Sequence, residues 1–384
     1  NGSILKLKDD VELEYENGQI NPVLNFTLIP VNPYGVRYED HHFSINVLND
    51  PSDDPVIING HIIEPGADLS ELNFSNANLS NLDLTNIDFT NSDLSGAKLS
   101  GSILNNTYLH GANLSGADLS DSQIKYSYFS NANLTETNFN GAIFTKPSFM
   151  NADLSMVDFS GVKLESGHFG GTNLSGADLS NASLKYSYLE EANLSYTNFT
   201  GADLTDTVLV KANLTGANLS SAILDNSNLN GVNLSSANLS DVDLSGKDLT
   251  GANLSNINLQ QADLTNMNLS GANLTGANIT DSNLSNTNLI NTNLTKTNLS
   301  STNLSGANIS GAKFYETKFL DTDFRNVDIA NLDFSGLNLN GANLSNSYGI
   351  YSTILTGANL SQANLAETDL RNHDLTNTNL SGAN

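Results

Sequence analysis

The sequence contains no cysteine, and this excludes several classes of protein at once. A disulfide scaffold, a thiol nucleophile and a cysteine-based zinc site are all ruled out across its 384 residues. Long hydrophobic runs are missing as well. No stretch of 18 apolar residues occurs, which a membrane-spanning helix would need, so membrane insertion is not expected.

Basic residues are scarce, with 15 Lys and Arg against 41 Asp and Glu, and the net charge is −26. Residues 1–65 hold 3 basic and 11 acidic side chains, and residues 66–384 hold 12 and 30. A surface of this sign repels nucleic acid and anionic membranes. We therefore expect no direct nucleic-acid binding, and basic partners or cations are what the protein would attract.

Motifs that carry catalytic chemistry are also missing. The six histidines are scattered, without metal-ligand spacing, and neither a nucleophile elbow, a Walker loop nor a dinucleotide fingerprint occurs. Serine and aspartate are abundant, but a repeat accounts for them, so pairing them as a catalytic set has no weight. The sequence predicts that the protein is not an enzyme.

The repeat is seen in GADLSELNFSNANLSNLDLT, residues 66–85, where a large apolar residue occupies every fifth position, beginning at Leu69 and Phe74. Five residues of α-helix turn about 500°, which makes no apolar stripe. A straight strand would send alternate members of the series to opposite faces. A short extended side followed by a corner removes the conflict, and the chain then coils around its own leucines.

The same spacing continues through most of the chain. Every fifth residue from Leu69 to Leu344 is Leu, Phe or Ile, and after one extra residue near Gly349 the series restarts at Ile350 and reaches Leu380. We call these residues the centres. The register break near residues 345–350 is most simply a β-bulge at a corner. The position two before each centre shares its inward face and is mostly small. Lys247 and His373 are exceptions there, and we expect their side chains to turn outward at a corner.

These units, of the form A-[DN]-L-S-G, resemble the pentapeptide-repeat family over residues 66–384. The segment 111–142 recurs at 171–202, and this shift divides evenly into coils of either three or four pentapeptides, so both numbers of sides remain open. The resemblance implies four sides, in an all-β, right-handed quadrilateral β-helix, which is a β-solenoid. About 16 coils of about 20 residues would then stack to a length of roughly 75 Å.

Residues 1–60 differ from the repeat, since they alternate apolar and polar residues like strands and contain turn signals. LEYE and DPSDDP resemble the C-terminal part of a cadherin-like domain, which implies a small β-sandwich-like remnant joined through residues 61–65 to the repeats. In that family such carboxylates bind calcium, a cation that favours oxygen ligands. The alternative is an acidic, solvated loop. The implied ligands are Glu14, Glu16, Asp50, Asp53 and Asp54.

Two KYSY segments, which belong to the two copies of the recurring segment, place tyrosines at equivalent outward positions and therefore on the same side of the solenoid. They form a candidate partner-binding surface. Strand propensity alone is the alternative explanation for exposed tyrosine. The four residues are Tyr126, Tyr128, Tyr186 and Tyr188.

The sequence closes on LSGAN without a polar cap, which predicts that the last coil is continued or associates end to end. The favoured function is a rigid acidic spacer or protein-binding solenoid of a larger secreted or cell-surface protein whose partner is unknown. The alternative, implied by some members of the repeat family, is a DNA-mimicking inhibitor of DNA gyrase. The repeat region's charge of −18 over roughly 75 Å is well under half that of B-DNA, which carries one charge per about 1.7 Å.

Overall fold

A computed structural model describes residues 23–28, 41–46, 56–239 and 241–384. The chain divides into one unit that ends at Val56 and a second unit, Ile57–Asn384. In the first unit, strands β1 (Val23–Leu28) and β2 (His41–Asn46) pair in antiparallel fashion. The cadherin-like interpretation of this unit remains a prediction, because most of residues 1–55 lie outside the described part.

Two short strands precede the first coil. Strand β3 (Val56–Ile58) and strand β4 (His61–Ile63) form a two-stranded sheet. The two residues between them, Asn59 and Gly60, have φ angles of 53° and 83°. Positive φ at both positions is the type I′ geometry that tight hairpins prefer, and Asn-Gly is its commonest sequence.

The repeat region is a β-solenoid whose neighbouring coils pair in parallel. Strands β5 (Gln123–Lys125) and β6 (Ile143–Thr145) pair in this way, and isolated bridges continue the pattern. Up to Asp328, each bridged residue pairs with the one that lies four pentapeptides further along the chain, as Asn113 does with Asn133. A coil therefore takes four pentapeptides, which decides between the two alternatives that the sequence left open.

The centres form one continuous core, as the five-residue period predicted. A single cluster of buried apolar side chains runs from Ile63 to Leu365. Each side is held to the next coil by backbone bonds such as that from the Leu114 N–H to the Asn133 carbonyl, at 2.7 Å. Burying one such side chain contributes about 1.5–3 kcal/mol, and here the contribution recurs in every pentapeptide.

The corner residue two after a centre adopts a left-handed backbone, except after Ile350. Gly116 and Asn131, for example, have φ angles of 65° and 59°. Glycine has no Cβ to oppose this conformation, and asparagine tolerates it better than most residues. The frequent Gly or Asn at this place in the pentapeptide therefore follows from the shape of the corner.

In many coils a Ser or Thr at the inward position, two before the centre, also bonds to the coil before it. The Thr107 hydroxyl donates to the carbonyl of Leu84, in the preceding coil, at 2.9 Å. Lys247 makes the equivalent bond from Nζ to the Leu224 carbonyl at 3.0 Å, and His373 Nε2 contacts the Ile350 carbonyl. The expectation that these two side chains turn outward was wrong, because the centre's carbonyl provides a hydrogen-bond acceptor on the inner face.

The extra residue near Gly349 forms a helical turn. Asp328 pairs with Tyr348 at the usual interval of one coil, whereas Asp333 pairs with Ile354, so the chain between this second pair contains one additional residue. Gly349, just after Tyr348, has a φ of 76° and precedes a 3₁₀ helix, Ile350–Ser352. The β-bulge expected here was wrong. The additional residue is absorbed by the tighter 3₁₀ turn, and Ile350 still reaches the core.

One of the four sides pairs without interruption over most of the solenoid. We call it the asparagine side. One outward residue of this side is bridged in each coil, and the bridges run from Asn73 through Asn113 and Asn213 to Lys313. Along the described part of the solenoid, openings between coils occur at several places, including one on the asparagine side beyond Lys313. Among the described residues, the bond expected from the Phe139 N–H to the Asp158 carbonyl is missing, as is that from Phe314 to Asp333. Cavities of about 320 Å³ and 690 Å³ lie at these openings.

The openings at Phe139 and Phe314 both coincide with bulky residues in the core. Phe314, Phe319 and Phe334 contact one another with ring centroids 5.3–5.8 Å apart. In the same region Leu332 and Leu337 occupy inward positions that are usually small, and both are buried. Extra volume in a packed core forces backbone shifts. We attribute the larger opening to this crowding, which separates neighbouring coils and breaks their hydrogen bonds.

Amide exchange is expected to be faster at the larger opening than one coil earlier. The N–H groups of Phe314 and Glu316 lack the bonds that those of Leu294 and Lys296 make to the next coil at 2.8 Å. Hydrogen exchange followed by mass spectrometry or NMR will compare the two pairs. The double variant Leu332→Ala and Leu337→Ala should slow exchange at Phe314. Equal exchange rates for the two pairs of N–H groups in the wild type would contradict the conclusion that the coils are separated at Phe314.

Candidate protein-interaction surface

Aromatic rings line part of a second side, which we call the tyrosine side. Its outward residues, paired in succession, include Tyr108, Tyr128, Ser148, His168 and Tyr188. The rings of Tyr108 and Tyr128 stack with centroids 5.3 Å apart and planes 8° apart. His168 and Tyr188 stack in the same way, at 5.0 Å and 7°. Parallel pairing at each bridge thus brings rings of successive coils into contact.

The local fold fixes the direction of these rings. Thr107, Ser127 and Ser187 precede the tyrosines at inward positions and are fully buried. The Ser187 hydroxyl donates to the Leu164 carbonyl at 3.0 Å, and the Ser127 hydroxyl bonds to the carbonyl of Leu104. Side chains alternate along an extended side, so the next residue must point outward. Tyr128 and Tyr188 are accordingly 38% and 44% exposed.

The other two predicted tyrosines lie at corners. Tyr126 and Tyr186 have φ angles of 56° and 61° and are 49% and 56% exposed. Within the described residues, the four predicted tyrosines make no ring contact with one another. The structure therefore places them along the same part of the surface without stacking them together.

Sequence reasoning missed the rings on which Tyr128 and Tyr188 stack, Tyr108 and His168. It also missed His110, whose ring lies 5.7 Å from that of Tyr128. Reading the outward position at intervals of one full coil finds the two stacking partners. The resemblance implied that interval, but the prediction rested on only the two KYSY segments, which are three coils apart.

An ion pair lies beside this surface. Lys185, next to Tyr186 in the chain, places Nζ 2.8 Å from a carboxylate oxygen of Asp203. Burial alone would raise the pKa of Asp203, but hydrogen bonds from Lys185 and Thr205 outweigh it and hold the pKa below its ordinary value. The same contact raises the pKa of Lys185. Both groups therefore remain charged at neutral pH.

Aspartates at outward positions along the solenoid, on the tyrosine side and elsewhere, accept hydrogen bonds from the residue two further on. The Asp243 carboxylate accepts from the Ser245 N–H at 2.9 Å and from its hydroxyl at 2.7 Å, which lowers the pKa of Asp243. Asp68 with Ser70, and Asp263 with Thr265, repeat this arrangement, and their pKa values are also lowered. These are side-chain turns in which the charged carboxylate is the better acceptor.

The protein is expected to lose stability in acid through these carboxylates. Their pKa values are lower in the folded chain than the unfolded value of about 3.9, so their contribution is present above that pH and lost as the pH falls through the folded values. The variant with Asp68→Asn, Asp243→Asn and Asp263→Asn keeps the acceptor oxygens without the titration. Thermal unfolding between pH 7 and pH 2.5 should show a smaller decrease in midpoint for this variant. Equal decreases would contradict the assignment.

The five carboxylates of the candidate calcium site lie outside the described residues, so that prediction is neither supported nor opposed. Within the described part of the chain, no group of three or more His, Asp or Glu side chains has an arrangement that could hold a metal ion. The same part contains no helix that is both long and apolar enough to cross a membrane.

A family model described as Pentapeptide repeats matches the chain in segments that run from residue 65 to residue 384. No curated protein matches. HetL, a pentapeptide repeat protein involved in heterocyst differentiation regulation in Nostoc sp. strain PCC 7120, is 27% identical; the match covers 66% of this chain and 89% of HetL, with a TM-score of 0.19.

Two other solved structures are similar in sequence. Rfr23 from Cyanothece 51142 is 36% identical, over 27% of this chain and 62% of Rfr23, with a TM-score of 0.19. QnrB1, a plasmid-mediated fluoroquinolone resistance protein, is 21% identical, over 49% of this chain and 92% of QnrB1, with a TM-score of 0.20. The family assignment rests on the sequence match and not on these superpositions. The chain belongs to the pentapeptide-repeat family.

Proposed function

We propose that the repeat region is a non-enzymatic interaction module, whose tyrosine side binds a protein partner. The observation that carries this proposal is the pair of exposed ring stacks, Tyr108 with Tyr128 and His168 with Tyr188, held on a closely bonded backbone. Tyrosine is enriched in protein interfaces because it offers a large apolar area with a polar end at little entropic cost. Proteins of this family are typically structural or interaction modules.

The same module would act as a stiff spacer. The continuous core and the unbroken pairing of the asparagine side from Asn73 to Lys313 support stiffness along the axis of the coils. As the finer form of the fold, we propose a right-handed quadrilateral β-helix of about 16 coils, roughly 75 Å long.

The tyrosine surface is tested by panning a random peptide library against the full chain. The wild type should enrich peptides that do not bind the variant Tyr108→Ser, Tyr128→Ser and Tyr188→Ser. A control variant, Tyr315→Ser and Tyr351→Ser, removes two exposed tyrosines elsewhere and should still bind them. No enrichment, or equal binding to both variants, would overturn the proposal.

For the N-terminal segment we propose calcium binding by Glu14, Glu16, Asp50, Asp53 and Asp54, in a larger secreted or cell-surface protein. Support comes from the clustering of these carboxylates and from the cadherin-like LEYE and DPSDDP motifs. Thermal unfolding of the full chain with calcium and then with a chelator tests it, beside the variant Asp53→Asn and Asp54→Asn. The wild type should be stabilised by calcium and the variant much less. Identical unfolding curves would mean that these residues do not bind calcium.

The alternative function, inhibition of DNA gyrase by DNA mimicry, is favoured only by the acidic surface. Its charge density is less than half that of the duplex, and much of the asparagine side is uncharged. A supercoiling assay with purified gyrase distinguishes the two functions. Inhibition that is lost when acidic residues are replaced would favour mimicry over the interaction module.

A further inference from the structure

Part of the asparagine side carries no charge, although the protein as a whole has a net charge of −26. From Asn173 to Thr295 its outward positions belong to seven N-L-[S/T] triplets in successive coils. We call this the neutral strip. It begins after Asp153 and ends before Lys313. Of the corner residues at its edge, Glu191 and Lys211 form an ion pair at 3.7 Å.

Hydrogen bonds hold the side chains of the neutral strip in fixed positions. The Asn233 amide donates to Asn213 Oδ1 at 3.0 Å, and Asn253 donates to Asn233 Oδ1 at 2.9 Å. The oxygen of Asn213 also accepts from the Thr215 N–H at 3.3 Å and from its hydroxyl at 2.6 Å. Each asparagine is thus tied to its own triplet and to the next coil, and little rotamer freedom remains to be lost on binding.

The strip is also regular. Successive centres donate to the next coil at the same distance, 2.7 Å for Leu194 to Asn213, Leu214 to Asn233 and Leu234 to Asn253. Neighbouring coils are about 4.8 Å apart, and the two outward residues of a triplet are separated by about 6.6 Å. The amide and hydroxyl groups therefore recur along the strip at the coil spacing, and within a triplet the two groups are drawn together, as the Thr215 hydroxyl is 2.6 Å from Asn213 Oδ1.

Hydrogen-bonding capacity remains along the strip. An amide has two N–H donors and a hydroxyl has two lone pairs, and the bonds within the strip use only part of these groups. The outward Asn and Ser or Thr side chains of the strip are half-buried, so each keeps some contact with solvent. The strip therefore presents donors and acceptors at repeated positions along about six coil spacings.

The properties of the strip disfavour most macromolecular partners. The outward side chains are uncharged, which gives no attraction for nucleic acid or for an oppositely charged protein. None of them is aromatic, and the ring of Tyr196 at the edge lies against Gly216, so the strip itself has no row of rings for a sugar or a base to stack on. What remains is a rigid, repeating surface of hydrogen-bonding groups, and its natural complement is another repeating surface of such groups.

We propose that the neutral strip binds the surface of ice. Water oxygens joined by O–H···O bonds of about 2.75 Å at the tetrahedral angle have second neighbours about 4.5 Å apart. The coil spacing of about 4.8 Å lies within about a tenth of this distance. Water molecules bound along the strip can therefore join an ice lattice, and the fixed side chains lose little entropy when they do so. The inference is independent of the tyrosine side.

The test is to measure how the full chain affects the growth of a single ice crystal in a nanolitre osmometer. The wild type should hold the crystal static over a gap below the melting point and should be enriched in slowly grown ice. The variant Thr215→Lys and Ser255→Lys places two charged side chains in the strip and should reduce both effects to those of buffer. The matched control Thr205→Lys and Ser245→Lys makes the same changes on another side and should behave as the wild type.

Circular dichroism melting of both variants will establish that each is folded. The proposal is overturned if the wild type neither halts ice growth nor enters ice, or if both variants lose the effect equally. Co-sedimentation with crystalline cellulose or chitin, or self-association in sedimentation that only the strip variant abolishes, would assign the strip to a polysaccharide or to a second copy and would also overturn it.

Discussion

Replacing Phe149 by alanine is expected to lower the free energy of unfolding by about 3–5 kcal/mol. The side chain is fully buried and stacks between Phe129 and Phe169, with ring centroids 4.9 Å and 5.3 Å away. Removing the ring leaves a void between rings from two neighbouring coils, and the closely bonded backbone on this side limits collapse. Urea denaturation followed by circular dichroism measures the change.

The variant Phe149→Leu is the matched control. Leucine is the commonest centre of the repeat, so the coil accommodates it, and we expect a loss of less than about 1.5 kcal/mol. If Phe149→Ala were as stable as Phe149→Leu, the stack of phenylalanines would not be part of a packed core.

Replacing Gly349 by alanine is expected to have the second large effect. Its φ of 76° costs any other residue about 1–2 kcal/mol. An added Cβ would also lie 2.6 Å from the Cβ of Ala330 and 2.7 Å from its backbone nitrogen, which cannot move like the end of a side chain. Overpacking of this kind typically costs a further 1–3 kcal/mol, which gives about 2–5 kcal/mol in all. Thermal unfolding will measure it.

Gly116→Ala is the comparison that separates the two contributions. Gly116 has a similar φ of 65°, but no atom lies within 4 Å of the position that its Cβ would take. Only the backbone cost applies there, about 1–2 kcal/mol. Equal losses for the two glycines would mean that the turn after Tyr348 is not packed against Ala330.

The sequence predicted the core and the corners because every pentapeptide contains the residue types that produce them. One apolar residue in five, as at Leu114 and Leu119, requires a side and a corner in each unit, and the left-handed corner explains the glycines. The number of sides was not determined by this reasoning, since the pattern is the same on every side. Hydrogen bonding between coils fixes it, as in Asn113 with Asn133.

Features that depend on neighbouring coils were not foreseen. The openings arise from the summed volume of side chains that are distant in sequence, such as Phe314 and Leu332, and no single pentapeptide reveals it. The stack of His168 on Tyr188 likewise requires knowledge of the length of a coil. Lys247 was expected to turn outward because its charge was considered without the Leu224 carbonyl that accepts its hydrogen bond.

The central claim is that each coil consists of four pentapeptides, and distances between spin labels test it most directly. Since the chain has no cysteine, labels can be attached at Ser115→Cys and Thr295→Cys without removing native residues. Nine coils separate these positions on the asparagine side, which predicts a distance of about 43 Å. Coils of three pentapeptides would give twelve steps and about 58 Å instead. A measured distance near the larger value, or a broad distribution without a maximum, would contradict the structure.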